Sequence, residues 1–255
     1  MINRAIFISS CDKTQDVAYY ALLGLKKNWS DCPYPFFVGC NNNPQIAESL
    51  NGVALYTQVS TGWKEETLSQ LKSLKEQSPE LSHIIIMLDD FLLGKAVDSE
   101  LVEKYYSMAV EREIKYLRLK KIESSIIGSI FMEKDNGLIK IDRDHPYYSS
   151  LQIAIWDIDY LIEQVKSCHS IWDFENQVTA IDHFSVTEDA ICYRHIVEKG
   201  KWNVNARKWC YNNNVNFNPF KRETDLTQNV IKEHLKKIIF ILFGYSFLKL
   251  RKKLI

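Results

Sequence analysis

Two adjacent carboxylates, Asp89 and Asp90, sit inside the apolar run Ile84-Ile85-Ile86-Met87-Leu88-Asp89-Asp90-Phe91-Leu92-Leu93. Side by side they repel one another unless a positive group lies between or beyond them, and hard oxygen ligands of this kind suit Mg²⁺ or Mn²⁺. The pair also fits a humbler arrangement in which one Asp caps a turn and the other meets solvent. A second acidic group lies in Trp172-Asp173-Phe174-Glu175. Aromatic flanks there could desolvate a carboxylate and lift its pKa toward the range of a useful proton acceptor. An aromatic pair in the core beside two acids at a helix start would account for the same four residues.

The elements that must position these groups follow from the hydrophobic pattern. Ala5 to Ser10 reads as a first strand ending in the Cys11-Asp12-Lys13 loop, and Thr14 to Lys27 as a helix with Val17, Tyr20, Ala21 and Leu25 near one face. Pro33 to Cys40 and Val53 to Val59 read as strands, the first closed by the turn signal Asn41-Asn42-Asn43-Pro44. Lys64 to Glu76 is a helix striped by Leu68, Leu71 and Leu74, and it leads into the strand that carries the acidic pair. Alternating strands and helices predict an open α/β sheet, whose ligands gather beyond the carboxyl ends of the strands. The second half is less regular. Asp98 to Glu113 is expected as a helix, Lys115 to Lys120 as a strand, and Ile126 to Met132 with Gly137 to Ile141 as a hairpin around Asp135-Asn136-Gly137. Tyr148 to Val165 is expected as a helix with Leu151, Ile155 and Ile158 inward, which would set Gln152 and Trp156 on one face.

Composition excludes several classes. The 255 residues are 46% hydrophobic and 25% charged, enough apolar content to bury a sizeable core. Lys plus Arg and Asp plus Glu both number 32, so no global basic surface is available to hold nucleic acid. Six scattered cysteines without a C-x-x-C pair predict neither a zinc framework nor a disulfide scaffold and suit a reducing, cytoplasmic setting. The Met-Ile-Asn-Arg start turns polar too quickly for a signal peptide. Neither Gly-x-Ser-x-Gly nor Gly-x-Gly-x-x-Gly is present, which leaves no support for a serine hydrolase or a dinucleotide oxidoreductase.

Taken in order, the pieces form a set: a strand ending in Ser9-Ser10-Cys11-Asp12, Gly62-Trp63 before a helix, the strand ending in Leu88-Asp89-Asp90-Phe91, Tyr116-Leu117-Arg118-Leu119, Leu151-Gln152 to Trp156, and Trp172-Asp173-Phe174-Glu175. This set resembles bacterial glycosyltransferases of surface-polysaccharide (capsule or O-antigen) synthesis with the GT-A fold, over roughly residues 5 to 205. The resemblance implies a GT-A-like, Rossmann-like open mixed sheet flanked by helices, spanning 1–223, and an inverting transfer from a nucleotide-sugar donor. It implies Mn²⁺ or Mg²⁺ on an acidic motif, here Asp90 with Asp89 beside it, and His195 as a late-chain ligand. The motif departs from the family pattern in having no residue between the acids. Ser9, Asp12 and Trp63 fall where base and ribose are recognised, and Arg118 where donor phosphate or acceptor lies; the same four residues also suit a turn, a packed indole and a surface ion pair. Gln152, Trp156 and Trp172 fall on the acceptor side, although Trp156 suits the core better, and Glu175, ahead of Asp173, is the implied catalytic base. A metal-dependent phosphohydrolase, or an inactive nucleotide-sugar-binding subunit of the same fold, would share the acidic pair.

The segment 224–255 differs in character. Ile231, Leu235, Ile238, Leu242 and Tyr245 recur at helical spacing, with Lys232, Lys236 and Lys237 before and Lys249, Arg251, Lys252 and Lys253 after the apolar run. That run is too short to cross a bilayer, so the expectation is an interfacial helix on anionic lipid, placing the protein peripherally at the inner face of the cytoplasmic membrane beside a lipid-linked or oligosaccharide acceptor. A C-terminal helix packed on the sheet domain is the other arrangement that pattern allows.

Overall fold

The computed structural model describes residues 4–57, 62–122, 134–143, 145, 147–218 and 222–225. Its frame is a nine-stranded mixed sheet. Four parallel strands come first: β1 (Ile6–Ser9), β2 (Phe36–Cys40), β3 (Val53–Tyr56) and β4 (His83–Leu88). They are joined by α1 (Gln15–Asn28), the short α2 (Gln45–Ser49) and α3 (Trp63–Gln77). A short β5 (Phe91–Leu93) and α4 (Ser99–Glu111) follow, then β6 (Tyr116–Arg118), the hairpin β7 (Lys134–Asp135) and β8 (Leu138–Lys140), and β9 (Ala154–Asp157). α5 (Ile158–Ser167), α6 (Ile171–Asn176), β10 (Phe184–Val186), β11 (Tyr193–His195), β12 (Val197–Glu198), β13 (Lys201–Asn203), α7 (Val204–Asn212) and β14 (Thr224–Asp225) complete the chain.

The strand order β3-β2-β1-β4-β9-β6-β10-β8-β7 decides where a ligand can sit. From β1 the chain steps outward to β2 and β3, then returns to the other side of β1 as β4. That reversal opens a crevice beyond the carboxyl ends of β1 and β4. β9 runs antiparallel to both β4 and β6, so the two flanking strands share a direction; Ile86 and Arg118 both face Ala154 across it. The expected open mixed α/β sheet flanked by helices is therefore present.

The apolar continuity of β4 is explained by its burial on both faces. Ile85 and Met87 pack with Ile6 and Ile8 against α1 and α4, while Ile84 and Ile86 pack with Ala5 and Phe7 against Leu71, Leu74 and Leu161 of α3 and α5. A third cluster joins Val17, Tyr20 and Ala21 on another side of α1 to Ile196, Trp202 and Ala206.

One expected element is wrong. Residues 148–165 do not form a single helix: Ala154–Asp157 is the central strand β9, and the helix starts only at Ile158, where the Asp157 side chain accepts from the Tyr160 amide at 2.8 Å. Ala154, Ile155 and Trp156 are all fully buried, so no polar alternation marks the strand. Of the expected hairpin, 126–132 lies outside the described residues; the turn itself forms, with positive φ at Asn136 (49°) and Gly137 (85°) joining β7 to β8. The tail, 226–255, also lies outside the described residues. Among the described residues no helix is long and apolar enough to cross a membrane, and the six cysteines are free thiols.

Candidate functional site

A cleft of about 400 Å³ occupies the crevice at the switch point. Ser9, Ser10 and Cys11 enter from the end of β1, Thr14 and Val17 from the start of α1, and Leu88, Asp89 and Asp90 from the end of β4. Trp63, Glu66, Thr67 and Gln70 supply one wall from α3, at the spacing that places side chains on a single helix face. Ile171, Val197 and Arg222 close it from the C-terminal half. Two glycines fit this wall together: Gly62, at φ 141°, starts α3 in a conformation that favours glycine, and a Cβ on Gly39 would come within 2.3 Å of the Gln70 amide.

The two acids are held differently. Asp89 Oδ2 accepts from the Ser10 hydroxyl at 2.8 Å and from the Thr14 hydroxyl. Burial pushes its carboxyl up to about 7; the Thr14 and Ser10 hydrogen bonds and the Arg222 charge pull the other way, and the Asp90 charge pushes with it. Asp90 Oδ2 lies 2.9 Å from His195 Nδ1. The β5–β11 ladder makes that contact, since it pairs His195 with Phe91, and the Ile196 amide donates to the Asp90 carbonyl at 3.1 Å. The structure thus brings Asp89, Asp90 and His195 to one place from sites about a hundred residues apart in sequence.

Three residues of this cleft carry buried polar atoms with no protein partner: Asp90 Oδ1, Gln70 Oε1 and Trp63 Nε1. Buried polar groups are rarely left so. Two acceptors and a donor at one concave site form a set that a polar ligand can satisfy. A divalent cation fits Asp90 in particular, because Oδ1 is a hard, unpartnered oxygen while His195 fixes Oδ2. Among the described residues no group of three or more His, Cys, Asp or Glu converges to hold a metal unaided. Such an ion would need oxygens from a ligand, as Mg²⁺ sites on phosphates commonly do.

The other expected residues divide into those near the cleft and those elsewhere. Ser9 lines it, and Trp63 both lines it and packs edge-on against Phe174 at a centroid distance of 5.6 Å. Asp12 does not: its carboxylate accepts the backbone amides of Asn41, Asn42 and Asn43 and so fastens the turn after β2. Arg118 is no surface ion-pair partner, since it is 4% exposed, with Nε on the Tyr116 hydroxyl at 3.1 Å and Nη2 on the Tyr147 carbonyl at 2.5 Å. Trp156 belongs to β9 and is fully buried against Tyr116 and Phe174, so it cannot share a helix face with Gln152 or meet an acceptor. Gln152 lies in the loop before β9, its amide on the Ser150 hydroxyl. In α6, Trp172 is 70% exposed and Phe174 fully buried. Asp173 serves the helix start: its amide bonds the Ser170 hydroxyl, and its carboxylate accepts from the His169 amide at 3.3 Å. Glu175 is half-buried, one turn beyond the cleft residue Ile171, and its charge reaches the Tyr116 hydroxyl.

Sequence reasoning did not select Ser10, Thr14, Gln70 or Arg222. Gln70 was visible as a polar residue three positions beyond Thr67 on a leucine-striped helix; Arg222 had no local signal at all, because only long-range folding brings it to α1.

No protein-family model matches the chain, and no curated protein matches it. Among solved structures it is similar to S. aureus TarS at 13% identity and a TM-score of 0.47, over 78% of this chain and 37% of that one. Residues 1-349 of TarS in complex with UDP-GlcNAc give 13% identity and a TM-score of 0.49, over 78% and 60% of the two chains. UDP-glucose pyrophosphorylase complexed with UDP-glucose gives 11% identity and a TM-score of 0.45, over 77% and 93%. The chain thus spans little more than a third of the length of TarS.

Proposed function

We propose that this chain is a nucleotide-sugar-dependent glycosyltransferase that transfers its sugar with inversion to a saccharide or lipid-linked acceptor in surface-polysaccharide synthesis. The observation that carries this reading is the switch-point cleft, lined by the half-buried carboxylates of Asp89 and Asp90, in which Asp90 Oδ1, Gln70 Oε1 and Trp63 Nε1 have no protein partner. The order of motifs in the sequence supports it independently. Asp90, with Asp89 beside it and His195 behind it, would hold Mn²⁺ or Mg²⁺, and the ion would offset the charge that gathers on the diphosphate leaving group. Ser9 and Trp63 face the region where a nucleoside would lie, with the Trp63 N–H available as a donor.

In the transfer, the acceptor hydroxyl attacks the anomeric carbon as the bond from that carbon to the diphosphate oxygen breaks. Glu175 takes the hydroxyl proton, and Trp172 offers an exposed indole face for an acceptor sugar. Gln152, and Arg118 through the loop at Tyr147, are assigned to the acceptor side. The basic amphipathic tail from Thr227 to Ile255 is proposed to lie on anionic lipid. Liposome flotation checks that assignment: full-length protein should rise with anionic vesicles and a chain truncated after Asp225 should not, whereas equal behaviour of both would remove the membrane assignment.

A thermal-shift screen with UDP-, GDP-, CMP- and dTDP-sugars, with and without Mn²⁺, tests the donor class. Ligands that bind the folded state raise apparent stability by mass action. At least one donor should raise Tm, and more so with Mn²⁺; no shift with any of the four would count against the reading.

A further inference from the structure

The geometry points to Arg222 as a diphosphate-binding residue of this cleft, delivered from the far end of the chain and pre-positioned by Asp16. Its side chain lines the cleft, 19% exposed. Nε donates to Asp16 Oδ2 at 3.0 Å, and Nη2 to Asp16 Oδ1 at 3.3 Å and to the Lys13 carbonyl at 3.4 Å. These bonds occupy one edge of the guanidinium. Nη1 makes no bond among the described residues, which leaves two N–H donors on a fixed plane for a ligand oxygen.

The charge balance of the cleft gives this cation a purpose. Asp89, Asp90 and Glu66 line the cleft, and Arg222 is the only lysine or arginine to do so among the described residues. It is near enough to Asp89 to favour the carboxylate there. A divalent ion on the acids and the nearby Arg222 guanidinium would together offset the charge of a dianionic pyrophosphoryl group. A guanidinium suits such oxygens because its donors are coplanar and always charged.

The position is also held rigidly. Asp16 and Tyr20 lie one turn apart on α1, and the Tyr20 hydroxyl accepts from the Asn218 amide at 2.8 Å. Beyond Arg222, the Trp202 amide donates to the Glu223 carbonyl at 2.8 Å, and β14 pairs with β13. Trp202 is fully buried and packs edge-on against Tyr20 at 5.4 Å. The same face of α1 therefore fixes the chain on both sides of Arg222, so little side-chain freedom remains to be lost when a ligand binds.

The inference rests on the proposed donor class, and the test separates the two. Equilibrium binding of UDP, GDP, CDP, dTDP and inorganic pyrophosphate, each with Mg²⁺, is measured on wild type, Arg222→Gln, Arg222→Lys and Asp16→Asn. Arg222→Gln should weaken diphosphate binding roughly 10- to 100-fold, as expected for a lost charge-assisted hydrogen bond. Arg222→Lys should recover part of it. Asp16→Asn keeps the cation but loosens its positioning, so it should weaken binding less than Arg222→Gln does. Equal losses in Asp16→Asn and Arg222→Gln would mean that the pair only supports the fold, and would overturn the assignment. Equal affinity of Arg222→Gln and wild type for a nucleoside diphosphate would overturn it while leaving the donor class intact. Pyrophosphate binding that depends on Arg222, with no binding of any nucleotide, would sustain the assignment and sink the donor class; no binding of any of the five by wild type would overturn it.

Discussion

The acids of the switch-point cleft and those of α6 are the same kinds of residue in opposite circumstances. Asp89 and Asp90 end a strand buried on both faces, where one carboxylate is held by two hydroxyls and the other by an imidazole. Asp173 and Glu175 flank the buried Phe174 on a six-residue helix, and Asp173 is consumed in starting that helix. Proximity of acids and aromatics in sequence therefore does not distinguish a reactive site from a helix cap. What distinguishes them is whether the fold leaves a polar atom buried and unmatched, as at Asp90 Oδ1, or satisfies it locally, as at Asp173.

Substitutions can break or sharpen that contrast. The largest expected effect is that of Glu175→Gln on transfer, a fall of roughly 10²- to 10⁴-fold in turnover with donor binding retained, as for loss of a general base. Asp173→Asn should leave turnover near wild type, and the reverse result would move the base to Asp173. Next, Asp90→Asn should cut metal-dependent donor affinity by on the order of 10²-fold, while His195→Ala, removing the hydrogen-bonded support of that ligand, should cost roughly 10- to 100-fold. Calorimetric titration of Mn²⁺ in the presence of donor separates the two.

Smaller still is Ser170→Ala, which removes the cap of α6 and should lower stability by about 1 kcal/mol without altering donor affinity. A change in donor affinity would show that α6 shapes the cleft directly. A separate effect is on the pH profile of the metal-free protein, where the cleft and the core should slope in opposite directions. Asp89 titrates near 7 folded and near 4 unfolded, so its contribution to stability is full below about 4 and lost as pH rises through about 7. Burial holds the His183 imidazole down to about 4, where its ring stacks on Tyr148 and Nε2 lies 2.8 Å from the Tyr160 hydroxyl. Its contribution is full above about 6.5 and lost as pH falls toward 4. Tm measured in EDTA from pH 4 to 8, for wild type and Asp89→Asn, isolates the first slope; a mutant profile that parallels wild type would refute it.

Legibility in the sequence followed the range of the interactions. α1, α3 and α4 appear over the residues expected to form them, and β4 over its isoleucines, because those signals are local. β9 was missed because Leu151, Ile155 and Ile158 mimic helical spacing while the strand is buried on both faces; the Asp157 cap is the mark that would have divided it. The acidic pair was legible as a site, but the hydroxyls that hold Asp89 arrive from β1 and α1, and the contact of His195 with Asp90 depends on a ladder between residues about a hundred positions apart. Asp12 read as a ribose contact because a strand end looks the same whether its carboxylate meets a ligand or three backbone amides.

Asp90 is proposed to present its unpartnered oxygen to a metal that a nucleoside diphosphate completes. Equilibrium binding of UDP, GDP, CDP and dTDP to wild type and Asp90→Asn, each with Mn²⁺ and with EDTA, addresses it directly. One nucleotide should bind wild type tightly with Mn²⁺, and EDTA and Asp90→Asn should weaken it to the same degree with no additive loss when combined. Binding that is indifferent to both EDTA and the substitution would contradict that role of Asp90.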